Sequence, residues 1–212
     1  MAQQTSDSER PARIPHRFHS MEYVAKWAHD VGNPVRESVF HHILAQLVLL
    51  DDESPHIVEL ASGPGILAEF LLERLPNATY EGMDYSEPML TLARERTERF
   101  GERVHLHQVD LRDDDWPRAA RRRPQALISM QALHDVGDEP EHEAIYAAAK
   151  QLIHSPGLFL NADLVRQSGK GPTRIPLSRH LAMLSAAGFD DVESSLKIGA
   201  YACIKGIADD VR

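Results

Sequence analysis

Short apolar-rich segments at 57–62, 79–84, 104–111, 126–133 and 158–164 alternate along the chain with segments whose apolar positions repeat at helical spacing. The first intervening segment, 65–75, places Ile66, Leu67, Phe70, Leu71 and Leu75 on one helix face. The second, 87–100, has Pro88 near its start and Gly101 just past its end, as helix termini prefer. A third, 139–153, is alanine-rich and stops before Pro156-Gly157. Two helices are predicted ahead of this alternation. One, 21–29, sets Tyr23 and Trp27 four apart on a single face. The other, 34–50, has Pro34 in its first turn and a stripe of Val35, Val39, Ile43, Leu47 and Leu50. The strand–helix alternation predicts an α/β fold, a parallel sheet with helices on both faces. The ending departs from it. "LSRHLAMLSAAGF" reads as a helix closed by Gly188, and two strands follow with only Gly199 at their junction. A direct hairpin forces those strands antiparallel, so the sheet is expected to be mixed.

The chain has 212 residues, enough for one α/β domain. We expect a disordered tail over 1–18 and a single domain over 19–212, with 19–53 a helical cover and 54–212 the core. A net charge of −9, from 23 basic and 32 acidic residues, opposes nucleic-acid binding, which needs basic residues to displace phosphate counterions. The basic run Arg121-Arg122-Arg123 is read as a solvated loop. The single cysteine, Cys203, lies in a predicted strand and is expected to be a buried free thiol. No stretch reaches the roughly 18 apolar residues of a membrane span, and the N-terminus lacks a signal peptide's apolar core. A cytoplasmic location follows as the expectation.

Candidate chemistry gathers at the carboxyl ends of the predicted strands, where doubly wound sheets bind ligands. "HIVELASGPGILAEFLLERL" puts Glu59 inside an apolar strand, four residues ahead of Gly63, with Ala61 and Gly65 around it. A dinucleotide-binding turn has an apolar residue at that position. A buried carboxylate is costly unless a cation or polar group meets it, and a pyrophosphate would add a second anion. The second strand ends at Asp84, at the spacing where an acid meets ribose hydroxyls. The third reaches Asp110-Leu111, where an acid could accept from an exocyclic amine. Acids in this order suit a nucleoside with a cationic amino-acid tail better than NAD.

From about residue 57 to 206 the chain resembles the class I S-adenosylmethionine-dependent methyltransferases. "ELASGPG" is similar to the family's first motif, "GMDYSEPML" to its second, "VDL" to its adenine-contacting motif and "ISMQALHDV" to the segment after strand four. The closing hairpin is also typical of that family. Departures are Glu59 for the commoner Asp, Ala61 for the first glycine, and Pro156-Gly157-Leu158 for Pro-Gly-Gly. The resemblance implies a Rossmann-like doubly wound sheet of order 3-2-1-4-5-7-6, mostly parallel, with S-adenosylmethionine as cofactor and S-adenosylhomocysteine as product. It further implies that Glu59, Ala61, Gly63 and Gly65 surround the methionine end and that Asp84 holds the ribose diol. Tyr85 would lie along the adenine, Asp110 would take its amine with Leu111 beside the ring, and Met130 and Gln131 would flank the methionine moiety.

On the acceptor side, His134 is the best general-base candidate, because an unperturbed imidazole titrates near neutrality. Asp135 is its candidate orienting group. Tyr23, Trp27 and His180 are candidate acceptor contacts, although a surface place is the stronger expectation for His180. Asp135, Asn161 and Asp163 are too few for a metal site, and none is assigned. The acceptor pocket is expected among the N-terminal helices, the loop after Met130 and the segment 167–176. The leading reading is methyl transfer to a small molecule at O, N or C. A non-catalytic S-adenosylmethionine binder, another reaction of the same cofactor and an NAD oxidoreductase are the alternatives.

Overall fold

The computed structural model describes residues 16–50, 52–165 and 174–209. The expected tail over 1–18 therefore lies almost wholly outside the described residues, as does most of 167–176. Seven strands form one sheet: β1 (His56–Leu60), β2 (Thr79–Asp84), β3 (Val104–Gln108), β4 (Ala126–Met130), β5 (Gly157–Leu164), β6 (Asp190–Ile198) and β7 (Tyr201–Ala208). Their order is β3-β2-β1-β4-β5-β7-β6. The first five pair in parallel, and β7 is antiparallel to both β5 and β6. The order and the mixed sense are those that the sequence implied. The helices are α1 (Met21–Asp30), α2 (Pro34–Val48), α3 (Ile66–Arg74), α4 (Glu87–Thr97), α5 (Leu133–Val136), α6 (Glu139–Leu152) and α7 (Leu177–Ala186).

Every residue of β1 and β4 is buried, as expected of central strands covered on both faces. Alternation along the strands splits the core in two. Ile57, Tyr80, Ile128, Met130 and Leu160 pack with Val39, Ile43 and Leu47 of α2 and Leu67 and Leu71 of α3. Val58, Leu127 and Phe159 pack instead with Ile145 and Tyr146 of α6 and Leu184 of α7. Glu59 shares the α2–α3 face with Ile57 by the two-residue period, and Asn161 and Asp163 share the α6–α7 face with Phe159.

Local chemistry sets the helix starts. Asn33 accepts from Arg36 N at 2.9 Å ahead of Pro34, and Ser86 accepts from Met89 N at 3.2 Å ahead of Pro88. Three segments are shorter as strands than expected, the first because β1 ends at Leu60. After Gln108 and after Met130 the chain leaves the sheet, and Leu133 begins the single turn α5. Gly101, at φ 54°, breaks the helical run after α4, and Gly199, at φ 59°, turns the final hairpin.

Polar groups away from the strands' carboxyl ends are also bonded. The arginine run is exposed but bonded: Arg122 reaches Thr79 Oγ1 at 2.7 Å and Arg123 donates to the carbonyls of Gln151 and Leu152. His42 is partly buried, with Nε2 2.8 Å from Ser195 Oγ. His107, on edge strand β3, pairs with buried Glu81 at 2.8 Å, and His56 sits 3.0 Å from the other oxygen of Glu81. Cys203 is buried and free, as expected, and burial pushes its thiol up to about 12.

Candidate cofactor and acceptor site

A cavity of about 850 Å³, its open mouth included, lies over the carboxyl ends of β1, β2 and β4. Among its lining residues are Glu59, Ala61, Gly63, Asp84, Tyr85, Asp110, Leu111, Met130, Gln131 and Asp135, together with Trp27 of α1. Gly65, Tyr23, His134 and His180 are not among them.

The chain after β1 is pinned to the end of β2. Ser62 N donates to Met83 O at 3.0 Å, and Gly63 N donates to Asp84 Oδ2 at 2.7 Å. Ser86 N donates to Asp84 Oδ1 at 2.8 Å. Arg96 of α4 donates to Pro64 O at 3.0 Å and so fixes the loop from the far side. Ala61 (φ 52°) and Gly63 (φ 59°) both adopt the left-handed conformation. Alanine tolerates it less well than glycine, which gives the departure from the usual first glycine a physical cost. A Cβ on Gly63 would meet nothing within 4 Å, whereas one on Gly65 would lie 3.2 Å from Cα and Cβ of Ala93. Gly65 therefore lets α3 approach α4, a correction to its expected place around the ligand.

Glu59 is almost fully buried, and it accepts from the Tyr80 hydroxyl at 2.5 Å. Burial pushes its pKa up to about 8, against the pull of the Tyr80 bond and the Arg36 charge. Glu59 pairs across the sheet with Gly82, whose missing side chain leaves room for Ser62 Oγ, Leu106 and the Tyr80 ring. Burial likewise raises Asp84 to about 6, although two backbone N–H groups favour its charged form. Asp110 is held by Arg112, with Nε 2.9 Å from Oδ1 and Nη2 2.5 Å from Oδ2, and the Arg112 guanidinium lies 5.9 Å from the Tyr85 ring centre. Arg112 was not singled out in the sequence. Neither was Arg36, a buried guanidinium of α2 that lines the cavity and donates to Gln131 Oε1 at 2.8 Å. Tyr201 donates to the same oxygen at 2.5 Å. Gln131 itself is held at φ 53°.

The acceptor-side candidates divide. His134 Nδ1 lies 2.6 Å from Asp163 Oδ1, and His134 N donates to Asp163 Oδ2 at 2.9 Å. Asp135 stands 3.5 Å from the other ring nitrogen. Asp163, not Asp135, therefore orients the ring. Burial pulls His134 down, but the Asp163 hydrogen bond and charge, with Asp135 behind them, outweigh it and leave the pKa above its ordinary value. His180 is buried rather than at the surface, with Nδ1 2.8 Å from the Tyr146 hydroxyl, and burial takes it down to about 4. Asn161 donates to the same hydroxyl at 3.1 Å. Tyr23 packs its ring against Phe18, which lines the cavity, at 5.7 Å.

The lining fits the nucleoside that the motifs imply. Acidic side chains stand in sequence at the ends of β1 and β2 and just past β3; Glu59 and Asp84 keep acceptor capacity beyond their present partners, whereas Asp110 is held by Arg112. Ser62 Oγ and Arg36 Nε are buried without a hydrogen-bond partner. No helix among the described residues is long and apolar enough to cross a membrane.

Residues 57–157 match a family profile described as a methyltransferase domain. The chain is 41% identical over 64 residues to the ribosomal RNA small subunit methyltransferase H of Chlamydia caviae, covering 29% of this chain and 22% of that protein. It is 37% identical over 89 residues to the trans-aconitate 2-methyltransferase of Mycolicibacterium gilvum, covering 42% and 31%. The chain thus spans less than a third of the length of these curated relatives. Human N-acetylserotonin methyltransferase, solved with S-adenosylmethionine, superposes with a TM-score of 0.69 at 17% identity over 91% of this chain and 57% of that one, a likeness of fold. Residues 57–157 are thus similar to a methyltransferase domain, and the sheet order is the one that the resemblance to class I S-adenosylmethionine-dependent methyltransferases implied.

Proposed function

We propose that the protein transfers a methyl group from S-adenosylmethionine to a small-molecule acceptor. The observation that carries this reading is the row of Glu59, Asp84 and Asp110 along one cavity beside the Gly63 turn. Glu59 would meet the ammonium end, Asp84 the ribose diol, and Asp110 the adenine amine beside Leu111 and Tyr85. Met130 and Gln131 would border the methionine moiety. S-adenosylmethionine would supply a sulfonium-activated methyl. The chain's own work is then to orient the acceptor and exclude water, and good positioning is worth roughly 7–11 kcal/mol in favourable cases. Residues 19–53 serve as the cover, with Phe18 and Trp27 closing the cavity above its charged floor.

For a protonated acceptor, His134 is the base. Asp163 fixes its Nδ1, so Nε2 is the nitrogen that would take the proton. Asp135, which lines the cavity, would hold the acceptor's polar group. A small acceptor is supported by the net charge of −9, which disfavours RNA despite the ribosomal RNA methyltransferase among the relatives. A second reading, a non-catalytic binder of the cofactor, is favoured by the position of His134 outside the cavity lining. Incubation with labelled S-adenosylmethionine and a panel of phenols, carboxylic acids, amines and RNA tests both. Label transfer to a small molecule, lost in His134→Ala with cofactor affinity intact, supports the enzyme. Tight cofactor binding with no transfer to any acceptor supports the binder.

A further inference from the structure

Two acids flank the His134 ring, and they differ in what they have left to give. Asp163 is buried and committed: its oxygens accept from the backbone N–H groups of His134 and Leu164 and lie against His134 Nδ1. Asp135 is 34% exposed and lines the cavity. Its Oδ2 stands 3.5 Å from His134 Nε2, and no hydrogen bond joins the two. His134 is only 17% exposed and is not among the lining residues, so a group that reaches Nε2 from the cavity passes along the Asp135 carboxylate. A neutral imidazole nitrogen and a carboxylate oxygen 3.5 Å apart are two acceptors that two donors on neighbouring atoms can meet together. Hydroxyl bonds run to roughly 2.7–2.8 Å, and hydroxyls set across a ring would have to splay off the lone pairs to reach both. A lone hydroxyl would serve Nε2 and leave Asp135 desolvated without a partner, which is costly. An acceptor carboxylate is disfavoured twice over: it is already ionised at neutral pH and needs no base, and it meets Asp135 as a like charge. Met130 and Val136, both buried, and Trp27 line the same cavity and suit the faces of a ring. The cavity of about 850 Å³, mouth included, must also take the cofactor, so the ring is small.

We propose that the acceptor is a small flat ring with two adjacent protic groups, a 1,2-dihydroxyarene or its 2-aminophenol analogue, one group donating to His134 Nε2 and the other to Asp135. The inference rests on the reading of the protein as a methyltransferase with His134 as base. His134 Nε2 takes the proton of the first hydroxyl, that oxygen bonds the methyl, and the electron pair of the broken methyl–sulfur bond stays on sulfur. The neighbouring group remains on Asp135 and is not methylated. The mono-ether has lost one of its two donors and no longer fits both acceptors, so the reaction stops after one methyl.

The test is label transfer from S-adenosylmethionine by the full chain to catechol, 2-aminophenol, phenol, resorcinol, guaiacol and benzoate, read as kcat/KM with the products identified by mass spectrometry. Catechol and 2-aminophenol should exceed phenol and resorcinol roughly 10- to 100-fold, the value of a hydrogen bond to a charged group. Catechol should yield its monomethyl ether and no dimethyl ether. Asp135→Ala should bring the catechol-to-phenol ratio close to one. Asp135→Asn, which keeps an accepting oxygen without the charge, should retain part of the ratio and guards against misfolding of the first variant. Phenol, resorcinol or benzoate turned over as well as catechol, guaiacol methylated as readily as catechol, or a ratio unmoved in both variants would overturn the adjacent-donor class and leave methyl transfer standing. No transfer to any of the six would overturn the class as well, and if the amines and RNA of the wider panel are also silent while the cofactor binds, the methyl-transfer reading falls with it.

Discussion

Glu59 should release a proton when the cofactor binds. Burial holds its pKa at about 8, so at pH 7 the free protein carries it about nine-tenths protonated. A ligand presenting an ammonium needs the carboxylate. Displacing the proton at pH 7 costs about 1.4 kcal/mol, a tenfold loss of affinity relative to a site already ionised. The affinity of S-adenosylhomocysteine should therefore rise close to tenfold per pH unit from 6 to 7. It should level off near pH 8, where the ligand's own α-amino group begins to lose its charge. Stability gives the complementary sign. A carboxyl whose folded pKa is raised contributes stability that is fully present below the unfolded value of about 4.5, and that contribution is lost as pH rises through 8. The ligand-free protein should weaken across this window and the complex should not. Calorimetry at pH 7 in buffers of different ionisation enthalpy reads the proton directly: close to one should be released per ligand, and Glu59→Gln should abolish the release. An affinity flat from pH 6 to 8, with no proton exchanged in the wild type, would refute the assignment of Glu59 to the ammonium.

His134→Ala should lower kcat by about 10²- to 10⁴-fold for a protonated acceptor while leaving cofactor affinity unchanged, read by steady-state kinetics and calorimetry. Asp163→Asn removes the charge that raises His134, so the acidic limb of the pH–rate profile should move to lower pH; an unmoved limb would exclude the ring from that titration. Gly65→Ala combines φ 73° with a 3.2 Å approach to Ala93 and should destabilise the fold by at least about 1–2 kcal/mol in urea unfolding. For Glu81, the His107 and His56 bonds and Arg121 N outweigh burial and depress the pKa to about 2. Its stability contribution is present above the unfolded value near 4.5 and lost as pH falls towards 2, so Glu81→Gln should flatten the acid-unfolding curve over that interval.

The sheet order was legible because a βα alternation followed by a two-strand hairpin admits few topologies, and the hairpin needed only Gly199 and the absence of a helix. The acids at the strand ends were legible from their register with the glycines. Their partners were not. Tyr80 lies 21 residues from Glu59 in the chain and meets it only because β1 and β2 pair in parallel with Gly82 opposite. Arg36 reaches Gln131 across 95 residues, and Asp163 reaches His134 across 29. Such contacts arise from the packing of α2 and from the alternation of faces along β5, which sequence periodicity gives as a face but not as a neighbour. His180 misled for the same reason. A histidine on an amphipathic helix reads as solvated until α7 is laid against Tyr146.

The most direct measurement is a crystal structure of the protein with S-adenosylhomocysteine. The account predicts the nucleoside lying across the ends of β1, β2 and β4, with the ribose hydroxyls on Asp84, the adenine between Tyr85 and Leu111, and the amino-acid end beside Glu59. A ligand bound elsewhere, or one in this cavity with no contact to Asp84 or Glu59, would contradict it.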